Sequence, residues 1–344
     1  MKAVFVKGQS SVFVEEVPPP KPNDGDIIVK MRTCGLCGSD LEKVYGHYGM
    51  SSARLGHETA GEIMQIGKAV KGFAPGDRVF IHHHVPCYSC HYCLHGDYTM
   101  CNTYQRSNID PCGLSEQILV PKWNVSRGGL IKLPDNVSYD EAALIEPLAC
   151  CIRALAKCSF HKGDDIAILG SGPAGMMHML LANIFGAGRI FVIDVNQFRL
   201  DFASKHYNVK TFNSNIDKDF IKKIQEATDY RGTDATIIAT GNTSAVLQSF
   251  ELTRKAGKIM LFGVPSKGAN ISYDLNNLYL NEQTLIPSYA ASEIETNQAL
   301  KLIAEKRIDI TSLITHRFKI DDAPQAINCA HKANGAMKVV VITD

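Results

Sequence analysis

The stretch Asp164–Ala187, DDIAILGSGPAGMMHMLLANIFGA, carries a four-residue apolar run, Ile166 to Leu169, into Gly170, Gly172 and Gly175 and then into a helical segment. Asp194 closes the next apolar run, 24 residues after Gly170. Each part has its own physical task. Gly170 permits a tight turn, Gly172 lets backbone approach a pyrophosphate, and Gly175 lets helix and strand pack closely. The helix amino end, opened by Pro173 and Ala174, faces the phosphates. A glycine-rich turn that binds nothing would require none of the strand, helix and acid that accompany it here. The segment therefore predicts a parallel βαβ unit that binds a dinucleotide.

Asp194 bears on which one. A carboxylate accepts both ribose hydroxyls of NAD and repels the 2′-phosphate of NADP, so NAD is expected. Arg199, in VIDVNQFRL, covers the adenine, pairs with Asp194, or serves the alternative, NADP. Thr240 and Gly241, and Gly263, Val264 and Pro265, follow later apolar runs at the carboxyl edge where nucleotides sit in such sheets; otherwise they are plain loop residues.

Around this unit the texture changes twice. Up to about residue 145 the chain is rich in glycine, proline and β-branched residues, with strand signals at Ile27 to Met31 and Arg78 to Ile81 between PPPKP, PGD and GG turns. From about 148, apolar runs (Ile166 to Leu169, Ile190 to Ile193, Ala235 to Ala239, Lys258 to Phe262) alternate with helical stretches, as buried parallel strands with crossovers do. A helix from Glu293 to Lys306 and a strand from Met337 to Ile342 follow. The α/β class results, with about two domains in 344 residues. A net charge of +1 and no long basic tract invite neither nucleic acid nor a membrane surface, and no apolar run approaches the roughly 18 residues of a span. MKAVFVKGQS alternates like a strand and is no signal peptide. A soluble, cytoplasmic chain is expected, its 11 cysteines suited to metal rather than disulfides.

Cys87, Cys90, Cys93 and Cys101 form CxxCxxC, a gap of seven, and a fourth cysteine. So short a lobe brings four sulfurs to one tetrahedral ion at about 2.3 Å, and zinc is the expected occupant. A bacterial iron–sulfur run places its last cysteine after three residues and before proline, whereas Asn102 follows here. With four protein sulfurs the site is structural. A catalytic zinc needs about three protein ligands and an open position. Its donors must come from elsewhere, and CGLCGSD at 34 to 40 and GHETAG at 56 to 61 offer them. Cys34 and Cys37 are alternatively a CxxC redox pair, and His57 alone a core histidine.

GHETAGEIMQIGKAV fits GHExxG, five residues, G, two residues, V, through Gly56, His57, Glu58, Gly61, Gly67 and Val70, and runs into PGDRV at Pro75 to Val79. With the motifs above, the chain resembles the zinc-containing medium-chain dehydrogenases of the alcohol, sorbitol and threonine dehydrogenase superfamily over nearly its whole length, most closely the polyol branch. The resemblance implies a GroES-like, mainly β catalytic domain, 1–147 with 285–344, around a Rossmann doubly wound NAD-binding domain, 148–284. It implies a homodimer or homotetramer, one catalytic and one structural zinc per chain, and Cys37, His57 and Glu58 at the catalytic zinc. EPLACC offers Glu146 or Cys150 as a further ligand, i and i+4 on one helix face; the polyol branch uses the glutamate before PL, matching Glu146. Ser39 matches the family's proton-passing hydroxyl; its other reading is a helix cap.

Two departures stand out. Glu42 occupies the place of a customary histidine three residues after Ser39, as in archaeal glucose dehydrogenases, which suggests a relay through ribose and water. HHH at 82 to 84 puts His83 near an apolar pocket position of alcohol dehydrogenases, where a polar group suits a polyhydroxylated substrate; surface histidines or metal scavenging are the rivals. Tyr45 and His47 are further pocket candidates. Zinc lowers a hydroxyl's pKa so that the carbinol carbon can give hydride to nicotinamide. The expected activity is reversible NAD-dependent oxidation of a secondary hydroxyl of a polyol, sugar or cyclitol to the ketone. L-Threonine or simple alcohol oxidation, a zinc-free quinone reductase, and a non-enzymatic NAD- and zinc-binding role are the alternatives.

Overall fold

The computed structural model describes residues 1–8, 10–46 and 54–344; His47 lies outside the described residues. Two compact units are present, Met1–Ala149 with Ala290–Asp344, and Cys150–Tyr289. In chain order the strands are β1 (Lys2–Val6), β2 (Val12–Glu16), β3 (Ile27–Gly35), β4 (Glu58–Ile66), β5 (Arg78–Ile81), β6 (Gln117–Val120), β7 (Leu130–Lys132), β8 (Ile166–Leu169), β9 (Ile190–Asp194), β10 (Lys210–Asn213), β11 (Thr233–Ile238), β12 (Thr253–Leu261), β13 (Thr284–Pro287), β14 (Ile314–Lys319) and β15 (Lys338–Ile342).

In the first unit a seven-stranded sheet runs β14-β15-β3-β4-β5-β7, with β6 on β3. Val29, Met31, Ile63, Val79, Ile118 and Val341 fill its core. The register pairs Gly35 with Glu58 and with Val340, so the end of β3, the start of β4 and the start of β15 meet at one end of the sheet. Strand β3 runs four residues past Met31, because beyond an irregularity at Arg32 the residues Thr33 to Gly35 keep partners on both β4 and β15. Those residues carry the chain to the site.

The second unit is a six-stranded, wholly parallel sheet of order β10-β9-β8-β11-β12-β13. This is the doubly wound order, with its switch point between β8 and β11. Strand β8 is buried at every position and β9 at all but its last, which is why both read as continuous apolar runs. Strand β12 starts at Thr253, five residues before the apolar run, where polar residues and Gly257 mask it; Ala256 there has a positive φ of 56°. The predicted helix after Leu285 is Glu293–Ala304, capped by Ser292, whose hydroxyl and backbone N–H both bond the Glu295 carboxylate. No helix among the described residues is long and apolar enough to cross a membrane.

Candidate metal centres and nucleotide cradle

The sheet end of the first unit collects Cys37, His57 and Glu58, whose ligand atoms all lie within 4.8 Å of one another. Cys37 caps the helix Gly38–Tyr45, so Ser39 stands inside the first turn and its reading as the cap does not hold. Asp40, wholly buried, accepts from the Cys37 N–H (3.1 Å) and the Gly56 N–H (2.9 Å), and its Oδ1 lies 3.6 Å from His57 Nδ1. Burial opposes its charge, but His57, Lys43 and the Gly56 N–H prevail and hold the carboxyl well below the usual range. With Nδ1 turned to Asp40, His57 keeps Nε2 for another partner, the arrangement by which an outer carboxylate orients a metal-binding imidazole.

Glu58 is fully buried between two neighbours. Its Oε2 lies 2.5 Å from Lys338 Nζ, and a Cβ on Gly35 would come within 2.0 Å of it, so only glycine leaves room for this carboxylate. Both of its oxygens are buried without a hydrogen-bond partner among the described residues, Oε2 keeping the ion pair and Oε1 having none. Glu146, in the first turn of the helix Ile145–Lys157, is buried and close enough to act electrostatically on Glu58 and Lys338, yet it does not join the 4.8 Å group. Cys150 follows on the same helix, across the boundary of the unit that holds the other donors. A thiolate, an imidazole and an orphaned carboxylate oxygen suit zinc, and three donors leave a fourth position open.

The four-cysteine lobe is tested by its sulfur spacings. Cys87 lies 3.9 Å from Cys93 and 3.6 Å from Cys101, and Cys90 lies 3.6 Å from Cys93. Bonds of about 2.3 Å to one tetrahedral ion put sulfurs about 3.8 Å apart, whereas a disulfide would bring a pair to about 2.05 Å. N–H groups of Ser89 and Cys90 point at the Cys87 sulfur and, Ser89 foremost, bring that thiol down to about 6. The lobe therefore fits a structural zinc.

Of the three consecutive histidines, none is a simple strand-surface residue, since β5 ends at Ile81. His82 is fully buried with Nδ1 2.7 Å from Glu293 Oε1, and Glu293 Oε2 takes the Tyr88 hydroxyl. His83 sets its ring 5.0 Å from that of His57, its Nδ1 buried without a partner among the described residues. Burial, then the neighbouring His84 and His57, push it well below the usual imidazole range. His84 bonds the Ser107 carbonyl. Tyr45 stacks on His331 at 3.7 Å.

In the second unit, Gly170 takes φ +98°, and a Cβ on Gly175 would meet the Gly170 carbonyl oxygen at 1.9 Å, so both positions exclude side chains. Gly172 caps the helix Pro173–Ile184, with Pro173 and Ala174 in its first turn. Gly170, Gly172, Asp194, Arg199, Ser214 and Thr240 line a cavity of about 470 Å³; Gly241, Gly263 and Val264 do not. Asp194 is fixed by Ser171 N–H (2.6 Å) and Oγ (2.9 Å) on one oxygen and by Val195 and Asn196 N–H groups on the other. The Arg199 guanidinium lies over Gly172, and Asp194 is near enough to act on its charge. The cradle fits a dinucleotide phosphate and an adenosine ribose. Sequence reasoning missed Lys218 and Asn215 on its rim, and Asp40, Lys338 and Glu293 in the first unit. Only Asp40, inside CGSD, stood in a motif that could have exposed it.

Residues 23–135 match the family described as alcohol dehydrogenase GroES-like domain, and residues 173–305 the one described as zinc-binding dehydrogenase. Sorbitol dehydrogenase of Bacillus subtilis (strain 168) is 30% identical over 357 residues, with 99% of this chain and 97% of that one covered. L-Threonine 3-dehydrogenase of Yersinia pestis (strain Pestoides F) is 28% identical with both chains covered to 100%. A Sinorhizobium meliloti 1021 chain solved bound to NADP has a TM-score of 0.88 at 26% identity, with 99% of each chain covered. The chain belongs to the zinc-containing medium-chain dehydrogenase family. It is a zinc-dependent oxidoreductase acting on the CH–OH group of alcohols, built from a GroES-like and a Rossmann domain.

Proposed function

We propose that the chain oxidises a secondary hydroxyl of a polyol, sugar or cyclitol to the ketone with NAD. The observation that carries this reading is the convergence of Cys37, His57 and the orphaned oxygen of Glu58 at one sheet end, with Asp40 behind the imidazole. Bound there, zinc supplies Lewis acidity that eases loss of a hydroxyl proton, and NAD supplies the hydride acceptor. Cys37, His57 and Glu58 hold the ion, and Glu146 stands near as a further, exchangeable carboxylate. Ser39 would take the hydroxyl proton, and with Glu42 in place of the usual histidine the ribose of a bound cofactor and water would offer its way out. His83, beside His57 with an unpaired ring nitrogen, hydrogen-bonds a second substrate hydroxyl, which favours a polyhydroxylated compound over a simple alcohol. L-Threonine is the second reading, supported by the threonine dehydrogenase likeness.

Asp194, which lines the cavity with both oxygens held by local donors, supports NAD over NADP. Cys87, Cys90, Cys93 and Cys101 hold the second, structural zinc. Among the described residues strand β13 ends the sheet with one edge unpaired, and Tyr279, Leu280 and Leu285 nearby in the chain are exposed. Such an edge pairs with a copy of itself, which gives a homodimer or a larger homo-oligomer; light scattering of the purified protein tests it.

The decisive experiment follows NADH formation by zinc-replete protein on polyols, sugars, cyclitols, L-threonine and simple alcohols, with NADP in parallel. Activity on a polyhydroxylated compound that His57→Ala abolishes supports the reading. Silence on the whole panel, with about one zinc per chain, turns it toward a non-catalytic NAD-binding role.

A further inference from the structure

Lys338 and Glu58 form an ion pair buried on both sides, with side chains 2% and 0% exposed. Taking an ammonium out of water is costly, and a buried pair is poor evidence of a gain in stability. Here the lysine is also committed elsewhere, donating to the Leu36 carbonyl at 2.9 Å, so its head group is fixed in place. Neither Glu58 oxygen has a hydrogen-bond partner among the described residues, but Oε2 is caught in the ion pair between Lys338 and the bare backbone of Gly35, while Oε1 has no such neighbour.

A carboxylate can grip a metal ion through one oxygen or through both. A catalytic zinc works with three protein ligands and one open position, and a Glu58 bound through both oxygens would fill that position. Resting on the reading of Cys37, His57 and Glu58 as the catalytic zinc site, we propose that Lys338 is a positioning residue that restricts Glu58 to one oxygen and keeps a coordination position free for the substrate hydroxyl. Charge fits the same role. The Cys37 thiolate with Glu58 and Glu146 sets three negative charges against the ion's two, and the ammonium offsets the third.

The test compares wild type, Lys338→Met and Lys338→Arg, each loaded with zinc and, in a second preparation, with cobalt(II) at the catalytic site. In folded Lys338→Met, the visible cobalt bands weaken towards those of a higher coordination number, release of the catalytic ion to a chelator slows about ten-fold, and kcat falls roughly ten- to hundred-fold. Lys338→Arg restores the wild-type spectrum. An unchanged cobalt spectrum and kcat in folded Lys338→Met would overturn the proposal. If Lys338→Met does not fold, a crystal structure of zinc-loaded wild type decides. Glu58 bound through one oxygen with Lys338 on the other supports it, and Glu58 bound through both, or turned away from Lys338, refutes it. Two bound ions with Glu58 outside the shell sink this inference alone, whereas one ion per chain and an inert His57→Ala substitution sink the catalytic reading as well.

Discussion

Glu293 Oε1 sits 2.7 Å from His82 Nδ1 while its other oxygen receives the Tyr88 hydroxyl, so one carboxylate joins the end of β5 to the four-cysteine lobe. A glutamine there keeps one acceptor and turns an NH₂ donor towards the other partner. Glu293→Gln is expected to cost about 1–3 kcal/mol of stability, the price of a buried group left unsatisfied. Urea unfolding of the zinc-loaded protein measures it. A loss within about 0.3 kcal/mol would show that the tie contributes nothing.

Asp40 should matter to metal more than to the fold around it. Asp40→Asn keeps an acceptor for one backbone N–H but removes the anion beside His57 Nδ1. Affinity for one of the two zinc ions is then expected to fall roughly ten- to hundred-fold, with the four-cysteine ion unaffected. Chelator titration separates the two. Equal weakening of both ions would point to general loosening instead.

Gly175→Ala places a methyl group against the Gly170 carbonyl oxygen and forces the helix Pro173–Ile184 off β8. Dinucleotide binding, followed by NADH fluorescence, should weaken about ten-fold or more. Overpacking should also cost about 1–3 kcal/mol. Wild-type affinity in this variant would mean that the close approach is not needed for binding.

His178 gives a pH dependence with a definite sign. It is fully buried on the helix Pro173–Ile184, its ring edge-on to Phe262 at 4.6 Å, with neither nitrogen bonded among the described residues. Burial pushes it down to about 3 from 6.5. The folded value lies below the unfolded one, so the neutral ring favours the fold and its contribution is whole above about pH 6.5. As pH falls from there towards 3, the unfolded chain takes a proton that the native chain refuses, and stability drops by about 1.4 kcal/mol per pH unit from this group. His178→Leu should flatten the stability profile between pH 6 and 4 by that slope. An unchanged slope would refute the assignment.

The glycine cradle was legible because its strand, turn, helix and acid are consecutive in the chain, each governed by local rules. The four cysteines were legible for the same reason. Strand β12 starts before its apolar run because Thr253 pairs with Thr233 ahead of a register shift that leads to Lys258, an irregularity that polar side chains do not advertise. Ser39 was a plausible cap until Cys37 proved to start the helix. Lys338 and Glu293 lay beyond reach, since each meets its partner only after the chain has passed through the whole second unit. Neither stands in a motif, and only the sheet register brings Lys338 beside Glu58.

Lys338 lies 302 positions beyond Leu36, whose carbonyl it binds. During synthesis the cysteine, histidine and glutamates therefore leave the ribosome long before the cation that steadies them. Until then Glu58 has no tether. On the proposal made for Lys338, an open coordination position is a late product of maturation, set only when the last strand inserts beside β3.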